Sequence, residues 1–528
     1  MKRQTKDPEI IRPVFRSVLI CLWLVLLFAC RPQQRIDGYL HQRLAHDPST
    51  LDPAHIVDVT GGMIAAKLFN GLVQLNEKLE IVPDIAERWT VSRDGKEYTF
   101  YLGRNIRFHN KRHVSAEDFR YSFERLLSPD TGSPNRWVLE RISGAAEYIK
   151  GKTVHVSGIR VLDDHALQIS LKEPFAPFLH LLTMPPAYVI PREDAERWGR
   201  DFAYHPSGTG PFKLSGWRHN VSVMLDRNSD YFGGEPAISG IMYRIIPEDI
   251  TASAEFELGN LDILSVSASE YRRYRESDRW KGLISSLEGI NSYYLGLNCS
   301  KPPLSDPLAR KAVSMAIDRE KILHTYYEGR GRLAHGPVPD ILRNWNMPDM
   351  QSYDPEKAAM LAIKSGLKGR VLKFFVSADP ENIDIAEIVQ SYLKKAGIEV
   401  EIRPLEWSAY KSAVNNGEPD MFWLSWWADY PDPENFLFPL FHSSNHGAGG
   451  NRTRYTNLAV DALIDRARRS MSASDKSAAF AMAEITIAGD APWVFFWHKN
   501  EYIVRQPGLK KFRIYPIYSI DKGMEISF

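Results

Sequence analysis

The residues best suited to chemistry lie in one short run, Trp426-Trp427-Ala428-Asp429-Tyr430-Pro431-Asp432-Pro433. It sets one carboxylate, Asp429, among three aromatic side chains that partly exclude water. A carboxylate there pairs with an ammonium more strongly than at a surface, though both ions lose hydration. Pro431 and Pro433 mark a sharp bend, so Asp429 also fits the cap of the following turn. Trp407, Trp426 and Trp427 suit an aromatic wall, since indole rings give broad contact at little entropic cost. In an Ile/Leu-rich region plain core is the alternative, with the cleft favoured for Trp407 and Trp426 and neither reading favoured for Trp427. The chemistry on offer is ion pairing and apolar contact, not bond-making.

Patterns for covalent or metal chemistry do not occur. There is no His-Glu-x-x-His, no Gly-x-Ser-x-Gly and no cysteine pair of metal spacing. Ser207-Gly208-Thr209-Gly210-Pro211 has neither the dinucleotide fingerprint nor the Lys-Ser/Thr pair of a phosphate loop. His109 and His113 are four apart but fall in a turn after a strand, which predicts solvated surface. His442 and His446 share that spacing inside a Ser/Asn/Gly-rich loop. No catalytic residue, metal site or cofactor is expected, and the chain does not read as an enzyme.

The elements that must position Asp429 read as α/β: short apolar runs alternate with longer helical stretches. Asp354-Pro355 offers an N-cap and a first-turn proline for a helix running to Gly366. Val371–Phe375 reads as a strand, Ile383–Ala396 as a helix stopped by Gly397, and Ile398–Leu405 as a second strand. That order predicts a right-handed crossover and a parallel pair. Ser115-Ala116-Glu117-Asp118 has the capping-box pattern and opens a helix through Leu127. Tyr98–Leu102 and Ile106–His109 read as a hairpin around Gly103, and Phe512–Phe528 as a C-terminal strand. Asp52-Pro53 and Asp306-Pro307 are structural, the second a helix start.

The chain has 528 residues, 44% hydrophobic and 25% charged, which describes a globular protein of at least two lobes. Near its start, basic residues (Lys2, Arg3, Lys6, Arg12, Arg16) precede an apolar run, Ser17–Ala29, that stops at Cys30. Thirteen residues fall short of the about 20 a spanning helix needs. The arrangement fits a secretory signal covering residues 1–29. Leu27-Phe28-Ala29-Cys30 resembles the lipobox of bacterial lipoproteins, which implies that Cys30 is lipidated and anchors the protein to a membrane. A plain signal peptide or a short signal anchor is the alternative. All three put the body of the chain outside the cytoplasm. Removing the leader's five basic and two acidic residues from 66 and 65 leaves 61 and 63, a formal charge of −2. A near-neutral balance gives no basic face for nucleic acid. Cys299 is then the sole cysteine and reads as a small buried hydrophobe.

Four blocks, in order, resemble the extracytoplasmic solute-binding proteins of family 5, the peptide receptors of ABC importers. They are Ile85-Ala86-Glu87-Arg88-Trp89 with the stretch through Phe123; Ser207–Leu214 with Arg227–Gly234; Asp306–Ala312 with Ala316–Arg319; and Trp426–Phe436. The resemblance implies a periplasmic-binding-protein-like fold of type II (class C). Two lobes joined by a two-strand hinge enclose the ligand, with an extra subdomain beside the first. Lobe I would take residues 30–58, 180–287 and 502–528, the subdomain 59–179, and lobe II 288–501. The turn at 207–211 would lie beside the hinge. The resemblance further implies that Asp429 meets a ligand's α-amino group. Strand addition would hold the peptide backbone between Met421–Trp427 and Val57-Asp58-Val59. Tyr430 and the three tryptophans would line the site. Some relatives carry a small residue at the position of Trp427, which predicts a narrower pocket here. Expected partners are a short peptide, the importer's permease subunits and the membrane; the protein is expected to be a monomer. Other solutes carried by this fold, such as oligosaccharides, opines, nickel chelates or haem, are the alternative, as is a sensor role.

Overall fold

The computed structural model describes residues 35–528; the leader and Cys30 lie outside the described residues. One large sheet organises the chain. Its strands are β1 (Tyr39–Leu44), β2 (Phe212–Arg218), β3 (Ser222–Arg227), β4 (Gly240–Ile245), β5 (Ile263–Ser265) and β6 (Ile284–Glu288). They continue with β7 (Asn291–Leu297), β8 (Gly331–Leu333), β9 (Val371–Ser377), β10 (Glu399–Leu405), β11 (Met421–Trp427) and β12 (Trp493–Arg505). The spatial order is β10-β9-β11-β7-β12-β5-β1-β4-β3-β2, with β6 and β8 pairing β12.

β12 explains how two halves share one sheet. Its first part pairs β7 and β8, and its last part pairs β5 and β6. The chain passes between the halves here and at β6–β7, so two strand segments carry the connection. The resulting mixed α/β architecture matches the expected fold class.

The local signals are observed where the apolar spacing puts them. β9 and β10 are parallel, Val371 opposite Glu399 through Ser377 opposite Leu405. The helix between them, Pro380–Lys395, is capped by Asp379, whose carboxylate accepts from the Glu381 N–H at 3.0 Å. The helix Ala116–Leu127 carries the full capping box of Ser115 and Asp118. Asp306 caps the helix Pro307–Met315.

Five apolar cores follow among the described residues, the smallest around Phe256, Tyr274 and Trp280. One lies under β1 and β4 and includes Leu40 and Ile241. The helix α1 (Val59–Leu68) buries Ile64, Ala65 and Leu68 in that same core. A second serves a separate four-stranded antiparallel sheet, Ala86–Val91, Glu97–Leu102, Ala166–Ser170 and Ile159–Asp163. Two more cover opposite faces of β7, β9 and β11.

Three expectations are corrected. Ile106–His109 does not pair with Tyr98–Leu102; that strand runs between Ala86–Val91 and Ala166–Ser170, and the loop closes on itself through an Arg107–His113 bridge. Phe512–Phe528 forms no strand. It crosses the first half as a loop with a 3-10 turn at Tyr518–Ile520 and one bridge, Lys511 to Ser527. Extended apolar patterning there serves packing on neighbours, not a ladder. His109 is not solvated: the Gly208 N–H donates to its Nδ1 at 3.2 Å, and its Nε2 meets the Gly210 carbonyl at 3.0 Å. Burial holds it neutral, pushed down to about 4. The glycines beside it have a packing reason. A Cβ on Gly208 or Gly210 would fall 2.1 Å from the Leu68 carbonyl or 2.3 Å from that of Lys67, so the turn lies against the end of α1.

Candidate functional site

Asp429 follows directly from β11. The strand pairs β7 along its whole length, Met421 opposite Leu297 through Trp427 opposite Asn291. On its other side it pairs β9 only at Met421 and Phe422. The strand is therefore interior at its start and an edge at its end, so only Trp423–Trp427 offers a side without a neighbouring strand. That refines the expectation of an edge along all of Met421–Trp427.

Beyond the strand, Asn435 organises the turn. It stands on α2 (Glu434–Phe441), is buried, and its Oδ1 accepts from the Asp429 N–H at 3.0 Å and from the Trp426 Nε1–H at 3.2 Å. Its Nδ2 donates to the Asp429 carboxylate at 3.3 Å. The turn itself is capped by Asp432, which accepts from the Glu434 N–H at 2.9 Å and pairs with Lys476. The capping role open to Asp429 thus falls to Asp432.

Among the described residues the Asp429 carboxylate is left with one neutral side-chain partner. Solvent reaches it, yet protein crowds it, the combination a concave wall produces. That crowding raises its carboxyl above the ordinary value, with the Asn435 hydrogen bond opposing. A crowded carboxylate without a counter-ion is poised to accept a cation from outside.

The opposite wall comes from the first half. Val57 and Val59 are 66% and 64% exposed, at the entry to α1 and in its first residue. Asp58 between them is committed: it caps α1 by accepting from the Gly61 N–H at 2.8 Å and also takes the Ser49 hydroxyl. Tyr518 lies between the walls. Its hydroxyl is pushed up by burial and by the negative charges of Asp429 and Asp58, so both carboxylates are its neighbours. The ring rests on Gly62, where a Cβ would meet it at 2.5 Å. The C-terminal loop thereby completes the site.

The other expected residues separate. Trp426 is half-buried and lines the hollow beside Asp429. Trp427 is 44% exposed and lies within reach of the Tyr293 hydroxyl. Trp407 is 54% exposed, opening the helix Trp407–Asn416, and its ring contacts, Tyr410 and Lys411, lie in its own helix. Tyr430 is buried in the core of the four-stranded region, its hydroxyl bound to Glu434, so only the ring edge reaches the hollow. Tyr430, expected to line the site, does border the hollow, with its hydroxyl already engaged by Glu434.

The hollow beside Asp429 has a volume of about 340 Å³ and is lined by both regions. Trp137, Arg141 and Phe175 face Trp426, Phe438 and Arg468 across it. No sequence signal pointed to Trp137, Arg141 or Phe175, which are more than 250 residues from Asp429. A larger depression of about 700 Å³, floored by Cys299, Arg310 and Asp490, lies elsewhere. It is less suited to a charged ligand, because Arg310 already donates to the carbonyls of Asp490 and Leu304. Burial pushes the Cys299 thiol up to about 11, far from a reactive thiolate.

Among the described residues no helix is long and apolar enough to cross a membrane. Residues 80–448 match the profile of the bacterial extracellular solute-binding proteins, family 5, middle region. The probable D,D-dipeptide-binding periplasmic protein DdpA of Escherichia coli K12 is 28% identical over 95% of this chain and 96% of its own length. Heme-binding protein A of Haemophilus influenzae is 26% identical over 88% of each chain. The periplasmic binding protein DppA of Helicobacter pylori, solved in complex with the peptide STSA, superposes with a TM-score of 0.76 at 26% identity. That match spans 92% of this chain and 97% of the other.

Proposed function

This chain belongs to the family 5 bacterial extracellular solute-binding proteins, which are binding proteins and not enzymes, and from that premise we propose that it captures short peptides by their free α-amino group. The observation that carries this reading is Asp429: a crowded carboxylate with no cationic partner among the described residues, at the open end of a strand edge. The ammonium would sit on Asp429, and the peptide backbone would run along Trp423–Trp427 opposite Val57-Asp58-Val59. Residues 30–58, 180–287 and 502–528 would move as one lobe with 59–179 beside it, and 288–501 as the other. Closure by hinge motion would present the loaded receptor to the permease subunits of an ABC importer. The ligand favours the closed state only by its differential affinity for it. In this reading the protein is a monomer held at the membrane by lipid on Cys30.

The test is calorimetric titration of the mature chain, unfolded and refolded to strip bound solute, with di- to hexapeptides bearing free or acetylated N-termini. Binding that vanishes on acetylation is expected. A response confined to haem, sugars or metal chelates would keep the family and overturn the ligand. For the anchor, Cys30→Ser should move the protein from the membrane to the soluble fraction of its native host. Retention in the membrane would argue for an uncleaved signal anchor.

A further inference from the structure

The 340 Å³ hollow is more than a continuation of the groove. It opens beside Asp429, so a side chain entering it belongs to the residue whose amine Asp429 holds, or to its neighbour. Its walls are aromatic: Trp137 and Phe175 from one region, Trp426 and Phe438 from the other. Two guanidinium groups hold those rings in place. Arg468 stacks on Phe438 at 3.3 Å from the ring centroid, and Arg141 on Phe175 at 4.1 Å.

The charges on the wall are already matched. Arg468 lies 2.8 Å from the buried Glu434 carboxylate, and Arg141 lies 3.5 Å from Glu173 with Glu140 also on the wall. Among the described residues Asp429 and Glu140 are the exceptions, and a ligand ammonium would neutralise Asp429. A second carboxylate brought in by a ligand side chain would find no unpaired cation and would meet Glu140 and Glu434. A large apolar ring would fill the hollow and meet aromatic faces. The volume is small for a drug-sized molecule and ample for one side chain.

Resting on the capture of a free amine at Asp429, we infer that the hollow selects peptides with a bulky aromatic residue at the amino terminus and disfavours acidic ones. Trp137, far from Asp429 in sequence, is then a specificity residue.

The experiment is calorimetric titration of the stripped mature chain with Xaa-Ala and Xaa-Ala-Ala peptides in which Xaa is Trp, Phe, Gly or Asp. Trp and Phe should bind at least about tenfold more tightly than Gly, the scale on which apolar pockets discriminate, and Asp no more tightly than Gly. Trp137→Ala, on a partly exposed turn, should shrink the Phe-to-Gly ratio. Equal affinity for all four, with acetylated versions silent, would overturn the pocket and leave amine capture intact. Silence from every peptide, free or acetylated, would overturn both.

Discussion

Two aspartates face Tyr518 from opposite halves, and they do opposite work. Asp58 spends its carboxylate on its own half, on the Gly61 N–H that opens α1 and on the Ser49 hydroxyl. Asp429 has only the Asn435 amide, while Asp432 caps its turn. A carboxylate that completes a helix end stabilises the fold; one left crowded and unpaired costs the fold and is free for a ligand. Flanking residues do not separate the two, since exposed hydrophobic neighbours stand beside both, Val57 and Val59 in one case and Trp427 in the other. What separates them is whether a backbone N–H of a helix start has been folded against the carboxylate.

The comparison breaks most easily at Asp429. Asp429→Asn should weaken binding of free-amine peptides by about 2–5 kcal/mol, the scale for removing one partner of a desolvated charge pair. Titration calorimetry would register it, and unchanged affinity would remove Asp429 from the site. Asp58→Ala should instead cost about 1 kcal/mol of stability through the lost cap. Chemical denaturation would measure that loss, while the preference for free over acetylated peptides should persist. If Asp58→Ala abolished the preference and Asp429→Asn did not, the two roles would be exchanged.

A smaller effect concerns the ligand-free protein. Burial raises the Asp429 carboxyl, so its ionised form destabilises the folded state at neutral pH. Asp429→Asn should therefore raise the Tm of the stripped protein, opposite in sign to Asp58→Ala. A fall in Tm would mean that the Asp429 charge has a stabilising partner. The gentlest probe is pH. As pH drops through the raised pKa of Asp429, the carboxylate is lost while the ligand amine stays charged, so affinity should decline on the acid side. It should decline again above the α-amino value near 8. Affinity that is flat down to the ordinary carboxylate range would contradict the crowding of Asp429.

Much of this was legible in the residues themselves. The capping box at Ser115, the caps at Asp306 and Asp354, and the parallel pair β9–β10 depend on neighbours three or four positions apart or on one strand-helix-strand unit. Asp429 stood out because three aromatics surround it in sequence. Other features were not legible. Asn435 is a common residue whose role depends on a bend between it and Asp429. His109 looked solvated because its shield, Gly208–Gly210, lies about a hundred positions away. The tail after Phe512 had strand-like patterning, yet it forms only the Lys511–Ser527 bridge and became the loop that carries Tyr518.

The sequence alone determined the α/β class and the helix starts, and it singled out a carboxylate among aromatics as the proposed chemical centre. These follow from local sterics, hydrogen bonding and hydrophobic period, which need only near neighbours. The tertiary structure decided which aspartate is free, which aromatic faces the hollow and which part of β11 is an edge. Those questions turn on desolvation and on donors brought from distant segments, and burial is a property of the assembled chain, not of any stretch of it.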